Sequence, residues 1–395
     1  MINLAGTDRR LNTIRYAPHT AIASDSLPTV TVVITCYNYA RYLPEAVQSV
    51  LDQTGVTANV LIVDDASTDD SLAVGRAIAA ADARVRVIAN EHNLGAVGAF
   101  NRGLEEATGE FLVRLDADDL LTSGSLSRAV TVMSTFPDVA LVYGHPLHFS
   151  GERPPARTTP SWWDVWSGTE WLAARCLDGT NVITSPEVVM RRSVITRVGG
   201  MRPLAHTHDM ELWLRIAAHA DVAYIGGVDQ AWHREHSASL STKAEHPLII
   251  LAELRAAFDE LFAGLGRDYP NGAELHRSAR RAVSMQALVE ASRLLDRGRH
   301  TDLVEDLASF ALRADPKIVR SRHWRHFEAS RNRKLPPTLV AAGGTLPRLK
   351  RRLREHSRVQ RWHRTGVYER LIITNSIPSS RRSDQANPET KVFTS

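Results

Sequence analysis

Three times before residue 120, a short run rich in β-branched side chains ends abruptly in a polar cluster. Val30–Ile34 leads into Thr35, Cys36, Tyr37 and Asn38; Asn59–Val63 leads into Asp64, Asp65, Ala66 and Ser67; Glu110–Leu115 leads into Asp116, Ala117, Asp118 and Asp119. Five or six residues is strand length, and an apolar run without polar alternation marks a strand buried on both faces. Helical spacing fills the gaps. Tyr42–Leu51 puts Leu43, Val47, Val50 and Leu51 on one face, Ser67–Ala79 begins with Ser67 or Thr68 as N-cap, and Val97–Ala107 and Ser125–Phe136 continue the series, with Val85–Ala89 and Val139–Tyr143 as further strands.

Strands alternating with helices predict an α/β fold with a mostly parallel, Rossmann-like central sheet flanked by helices. Ligands bind at the carboxyl ends of such strands, which is where all three polar clusters fall. A nicotinamide-dependent oxidoreductase would need Gly-x-Gly-x-x-Gly after the first strand. Thr35 to Ala40 reads Thr-Cys-Tyr-Asn-Tyr-Ala instead, which disfavours that class.

The 395 residues, 43% apolar and 23% charged, suffice for a buried core and more than one domain. The apolar runs fall far short of the roughly 20 residues a membrane span needs, and no secretory signal is visible, so a cytoplasmic protein is expected. Cys36 and Cys176 lack any paired spacing and are expected to be reduced. Charge is uneven. Between Lys317 and Arg364, fifteen Lys and Arg face two acids, an excess of thirteen positive charges in a chain of net +4, which leaves the remainder at −9. Such a tail suits an anionic membrane surface, with nucleic acid as the competing target, and peripheral attachment at the inner face of the plasma membrane is expected.

Residues 151–160 read as a loop, and Trp162, Trp163, Trp166 and Trp171 follow it closely. Glu187–Met190 and Val222–Ile225 are short strands, and Asp209–Ala218 is a helix. Beyond Pro247 the strand signal vanishes and helices continue to about Leu312. The expected organisation is a flexible extension over 1–27, a catalytic domain over 28–245 divided at 145/146 into a donor half and an acceptor half, a helical region over 246–315, and a basic helical region and tail over 316–395.

Three carboxylates directly after a buried strand point to a divalent cation. Mg²⁺ and Mn²⁺ prefer oxygen ligands and are commonly held by one or two carboxylates together with substrate phosphates. Asp64 and Asp65, at a second strand end, can accept from a pyrimidine N–H or ribose hydroxyls; one of the pair can instead cap the helix that follows.

The order of the pieces carries a resemblance. Val32-Val-Ile-Thr-Cys-Tyr-Asn-Tyr39, Arg41-Tyr42-Leu43, Ser49-Val-Leu-Asp-Gln53, Val63-Asp-Asp-Ala-Ser-Thr-Asp-Asp-Ser71, Asn93-Leu-Gly95, Asn101-Arg-Gly103 and Leu115-Asp-Ala-Asp-Asp119 closely resemble the N-terminal half of family-2 glycosyltransferases, over about residues 28–242. The resemblance implies a GT-A fold, a nucleotide-diphospho-sugar donor, a divalent ion and inversion at the anomeric carbon. It implies donor contacts from Thr35, Tyr37, Asn38, Asp64, Asp65, Asn93, Gly95, Asn101 and Asp116, and metal contacts from Asp116 and Asp118. His208-Asp-Met-Glu-Leu-Trp-Leu-Arg215 resembles the family's Glu-Asp-x-x-Leu-x-Leu-Arg segment, with His208 where Glu is usual, and makes Asp209 the general base. Trp232-His-Arg-Glu-His-Ser-Ala-Ser239 resembles its Tyr-Arg-x-His-x-x-Ser segment, which implies that Arg234 meets phosphate oxygens and His236 completes the metal shell.

Acceptor contacts are expected from Trp162, Trp166, His208 and Glu211. The implied reaction moves a sugar from a UDP- or dTDP-sugar to a saccharide or lipid-linked acceptor in cell-surface polysaccharide or glycan synthesis. A catalytically idle binding module whose basic tail grips membrane or nucleic acid is the alternative.

Overall fold

Strand β2 (Thr29–Cys36) is buried along both faces, and its side chains alternate between two cores. Val30, Val32 and Ile34 pack in one core with Val60 and Ile62 of β3 (Thr57–Asp64) and with Val113 and Leu115 of β5 (Phe111–Asp116). Val33 packs in the other with Leu61, Val63 and Leu112. Helices must therefore cover both faces. The computed structural model, which describes residues 13–19, 26–236, 246–265, 269–297, 301–332, 353 and 357, has that layered form.

Further elements on the donor side are α1 (Leu43–Leu51), α2 (Ser71–Ala81), β4 (Val85–Ala89), α3 (Gly95–Glu106), β6 (Leu120–Leu121) and α4 (Ser125–Thr135). Beyond them come β7 (Val139–Phe149), β8 (Trp162–Trp166), α5 (Gly168–Asp178), β9 (Val189–Arg191), α6 (Arg192–Val198), α7 (His208–Ala217) and β10 (Asp221–Arg234). With β1 (Ile14–Tyr16), the ten strands form one sheet in the order β1-β8-β10-β7-β9-β5-β2-β3-β4, and β6 pairs with β10. β5, β2, β3 and β4 are mutually parallel, as are β7 and β10; β9 lies antiparallel between β5 and β7 and joins the two blocks.

Helix α3 lies unusually close to the sheet. A Cβ on Gly103 would meet Val33 Cγ1 at 2.4 Å and Val63 Cγ2 at 3.0 Å, so only glycine permits this approach.

Helices α8 (Pro247–Leu265), α9 (Gly272–Asp296), α10 (Asp302–Ala314) and α11 (Arg322–Arg331) follow, with a 3₁₀ turn at Pro316–Arg320. They extend the same core as the sheet. Leu275, Val283 and Leu288 of α9 and Phe310 of α10 share a cluster with Trp171, Leu172 and Cys176 of α5 and with Trp213 of α7. Among the described residues no helix is long and apolar enough to cross a membrane. Cys36 and Cys176 are both buried and free.

Two expectations shift. Ile14–Tyr16, within the segment expected to be flexible, adds a strand to the edge of the sheet, where Arg15 grips Asp164 of β8 through bonds of 2.7 and 2.9 Å. Helix α2 begins at Ser71 rather than near Ser67, because the amides of Ser67, Thr68 and Asp69 are held in a turn by Asp64 and Asn38. The tryptophan group opens with a strand, β8. The basic segment lies outside the described residues from 333 onward, apart from 353 and 357.

Candidate active site

The register of β2 against its neighbours decides which side chains meet. Thr35 stands beside Asp116 and Cys36 beside Asp64, so the three polar clusters share one end of the sheet. Thr35 Oγ1 donates to Asp116 Oδ1 at 2.9 Å, and Arg114 pairs with the same oxygen at 2.5 Å. Asp64 is buried; its Oδ2 accepts from the Ser67 amide at 3.1 Å, while its Oδ1 has no hydrogen-bond partner. Asp65 is committed elsewhere, accepting from Asn90 Nδ2 and the Leu94 amide, both at 2.8 Å, which fixes the loop before α3. On that loop Asn93 Oδ1 accepts from the Gly95 amide at 3.0 Å, and Gly95 takes φ +74° with open space around it.

After β5, the chain turns so that Asp118 and Asp119 meet the end of β10. His236 Nε2 lies 2.8 Å from Asp118 Oδ2, His233 Nδ1 lies 3.1 Å from Asp119 Oδ2, and the Arg234 amide donates to Asp119 Oδ1 at 2.8 Å. Burial, reinforced by the charges of Asp119 and Asp116, lifts the Asp118 carboxyl to about 6. Burial alone would lower His233, but the hydrogen bond and charge of Asp119, with Glu187 and Asp116 beyond, raise it to about 9.

Three acids thus gather here, Asp118 and Asp119 buried and Asp116 partly exposed. Among the described residues no three His, Cys, Asp or Glu side chains are arranged to hold an ion by themselves. One or two carboxylates completed by phosphate oxygens is a usual arrangement for Mg²⁺ or Mn²⁺, and Asp118, with His236 at 2.8 Å, offers donors for it.

A further acid stands on α7. Asp209 sits in its first turn, where the helix dipole favours a negative group. Its Oδ1 accepts from the Met210 amide at 2.6 Å and its Oδ2 from Ser185 Oγ at 2.7 Å. His208, next to it, is buried and its pKa is lowered, by burial first and then by the Arg114 charge, against the pull of Asp209 and Asp116. One imidazole thus feels the charges of both Asp209 and Asp116.

Several expected contacts take other forms. Glu211, expected to touch an acceptor, is fully buried and clamps Arg215 at 2.7 Å and Arg202 at 3.3 Å, so no acceptor reaches it. Trp166 is equally removed: it is 2% exposed and packs on Tyr143, and its indole N–H donates to Thr13. Asn101 spends its amide on both backbone groups of Met201. Asn38, at φ +60°, accepts from the Thr68 and Asp69 amides. Arg234 stacks between Tyr42 and Phe149 and binds Glu45 at 2.6 Å, which already uses part of its guanidinium. Trp162 lies half-buried under Arg15, at the far edge by β1, and Tyr37 is exposed at the loop tip.

Two residues escaped sequence reading. Glu187 and Ser185 lie in the turn before β9, where Glu187 holds the Thr184 and Ser185 amides and Ser185 bonds Asp209; the sequence marks Glu187 only as the start of an expected strand, which in the structure begins at Val189.

The profile described as glycosyl transferase family 2 matches residues 31–199. The putative glycosyltransferase EpsE of Bacillus subtilis is 30% identical over 197 residues, which make up 48% of this chain and 67% of EpsE. This chain belongs to glycosyltransferase family 2. The succinoglycan biosynthesis protein ExoO of Rhizobium meliloti is 42% identical to this family-2 chain over 108 residues, 27% of the chain and 30% of ExoO. The first four curated relatives it matches are spanned over only 30–35% of their own length. Among solved structures, residues 1–349 of S. aureus TarS in complex with UDP-GlcNAc superpose with a TM-score of 0.54 at 16% identity, covering 76% of this chain and 88% of that one. The mannosyltransferase PcManGT of Pyrobaculum calidifontis, in complex with GDP-Man and Mn²⁺, gives 0.50 at 19% identity, covering 82% and 88%. At these identities the likeness is one of fold, and the fold is GT-A.

Proposed function

We propose that this chain is an inverting glycosyltransferase that moves a sugar from a nucleoside-diphospho-sugar to an acceptor hydroxyl, with Asp209 as general base. The reading is supported by the gathering of Thr35, Asp64 and Asp116 at one end of the sheet and by His208, next to Asp209, which feels the charges of both Asp209 and Asp116. Asp64 Oδ1, buried without a partner, suits a ligand N–H or hydroxyl, since such acceptors are rarely left unpaired. A pyrimidine base and its ribose supply those donors, which favours UDP- or dTDP-sugars. A saccharide or lipid-linked acceptor for cell-surface polysaccharide is supported by relatives such as ExoO.

In the proposed step, the acceptor oxygen attacks the anomeric carbon as the bond to the diphosphate oxygen breaks. The bonding pair leaves on the diphosphate and the acceptor proton passes to the Asp209 carboxylate. A divalent ion held by Asp118 and His236, with Asp116 beside them, would neutralise charge on the departing diphosphate. Thr35 and Arg114 hold Asp116 in place for that role.

The test is a panel of UDP-, dTDP- and GDP-sugars with Mn²⁺ or Mg²⁺, read as release of free nucleoside diphosphate. Asp209→Asn is expected to keep nucleotide binding while turnover falls by about a thousandfold, within the usual range for a lost general base. Asp118→Asn is expected to lose metal-dependent nucleotide affinity. The reverse pattern would refute both assignments.

Peripheral docking of a cytoplasmic enzyme on anionic lipid is part of the same proposal. Lys317, Arg320 and Arg325 are exposed at the start of the basic segment. Vesicles with anionic lipid are expected to bind the protein and neutral vesicles to bind it far less; equal binding to both would count against it.

A further inference from the structure

We propose that Ser185 is a positioning residue for Asp209, and that the buried carboxylate of Glu187 exists to hold it. The proposal rests on the reading of Asp209 as the base and adds what aims that base.

Ser185 takes φ +134°, a region that side-chain-bearing residues avoid, and it does so immediately before Pro186, which ordinarily presses its predecessor into extended backbone. Something must hold it there. Glu187 is 1% exposed and accepts from the Thr184 amide at 2.6 Å through Oε1 and from the Ser185 amide at 3.1 Å through Oε2. Ser185 O closes the turn by accepting from the Val188 amide at 3.2 Å. A buried carboxylate is a costly means of closing a turn, because removing its charge from water is unfavourable unless the bonds it makes are needed.

What this construction delivers is the direction of one hydroxyl. Ser185 Oγ donates to Asp209 Oδ2 at 2.7 Å. An aspartate in the first turn of a helix is drawn towards the free amides there, and Asp209 Oδ1 does accept from Met210. Ser185 holds the second oxygen away from that capping role and fixes the plane of the carboxylate.

The test compares Ser185→Gly, Ser185→Ala, Asp209→Asn and the double variant Ser185→Gly/Asp209→Asn in the full chain. UDP release from a UDP-sugar in Mn²⁺ is the activity readout, and titration with UDP and Mn²⁺ is the binding readout. Ser185→Gly removes the hydroxyl and also frees the backbone from its unfavourable φ, so its thermal midpoint is expected to be unchanged or higher. Both single serine variants are expected to lower kcat about ten- to a hundredfold with KM for the donor unchanged, the scale of a misaimed catalytic group. In the Asp209→Asn background, Ser185→Gly is expected to cost nothing further, because the two act as one unit. Wild-type kcat in the serine variants beside an inactive Asp209→Asn would overturn the positioning role alone, as would an additive loss in the double variant. Full activity in Asp209→Asn would overturn the base assignment and this proposal together.

Discussion

At the scale of single residues, Asp229 shows how a buried charge makes stability depend on pH. It is 1% exposed and is held by His145 at 2.8 Å and by Arg157 through both backbone and side chain. Burial opposes its ionisation, but the bonds from His145 and Arg157 outweigh it and hold the carboxyl well below its ordinary value. A group depressed in the folded state stabilises above its unfolded pKa of about 3.9 and loses that contribution as pH falls towards the folded value. Urea midpoints are therefore expected to drop steeply below about pH 4. Asp229→Asn should lower stability at neutral pH by about 2 kcal/mol, from weakened charge-assisted bonds, and flatten the acid dependence. Gly103→Ala should cost about 1–3 kcal/mol in the same assay, since Val33 must yield to the new methyl. Acids after strands were the legible part of the site, because carboxylates at strand ends have few other reasons to gather. Ser185 and Glu187 were not legible, since their meaning lies in a backbone conformation and a contact 24 residues away that no local pattern encodes.

Elements tell a similar story. Five of the six strands between Val30 and Tyr143, all but the two-residue β6, were readable because buried parallel strands have a composition of their own, and the helices between them carry clear apolar faces. β8 was not, since tryptophans serve a strand edge and a helix equally well. The late start of α2 was hidden too: Asn38, thirty residues earlier, takes the amides that would otherwise open the helix. In α7, Glu211 could be taken for a site residue because it stands two positions from Asp209, but its place inside the helix gives it to Arg215. Glu211→Ala would leave that buried guanidinium without its carboxylate, bonded only to the carbonyls of Val198, Gly199 and Gly200, at about 3 kcal/mol. The loss should loosen the start of α7 and lower turnover along with the thermal midpoint, whereas Glu211→Gln, which still accepts one bond, should recover part of both.

For the whole molecule, the helices beyond Pro247 are packed into the core rather than appended to it. Phe258, Leu288 and Phe310 share a cluster with Trp171 and Trp213 of the sheet-bearing half. A single cooperative transition is expected in calorimetry, and truncation after residue 246 should give an aggregating product, since it would uncover that apolar surface. Two resolved transitions, with a soluble and well-folded truncate, would contradict this.

The position of β10 has a temporal consequence. Among the described residues it is the last strand to be made, yet it lies between β8 and β7 in the interior of the sheet, and its end carries the partners of Asp118 and Asp119. A nascent chain that has reached α7 already contains Asp116, Asp118 and Asp209, but the gap in its sheet stays open. The ribosome must therefore release Arg234 before the sheet can close beside Asp118 and Asp119, so no shorter product of interrupted translation gains the partners that β10 brings them.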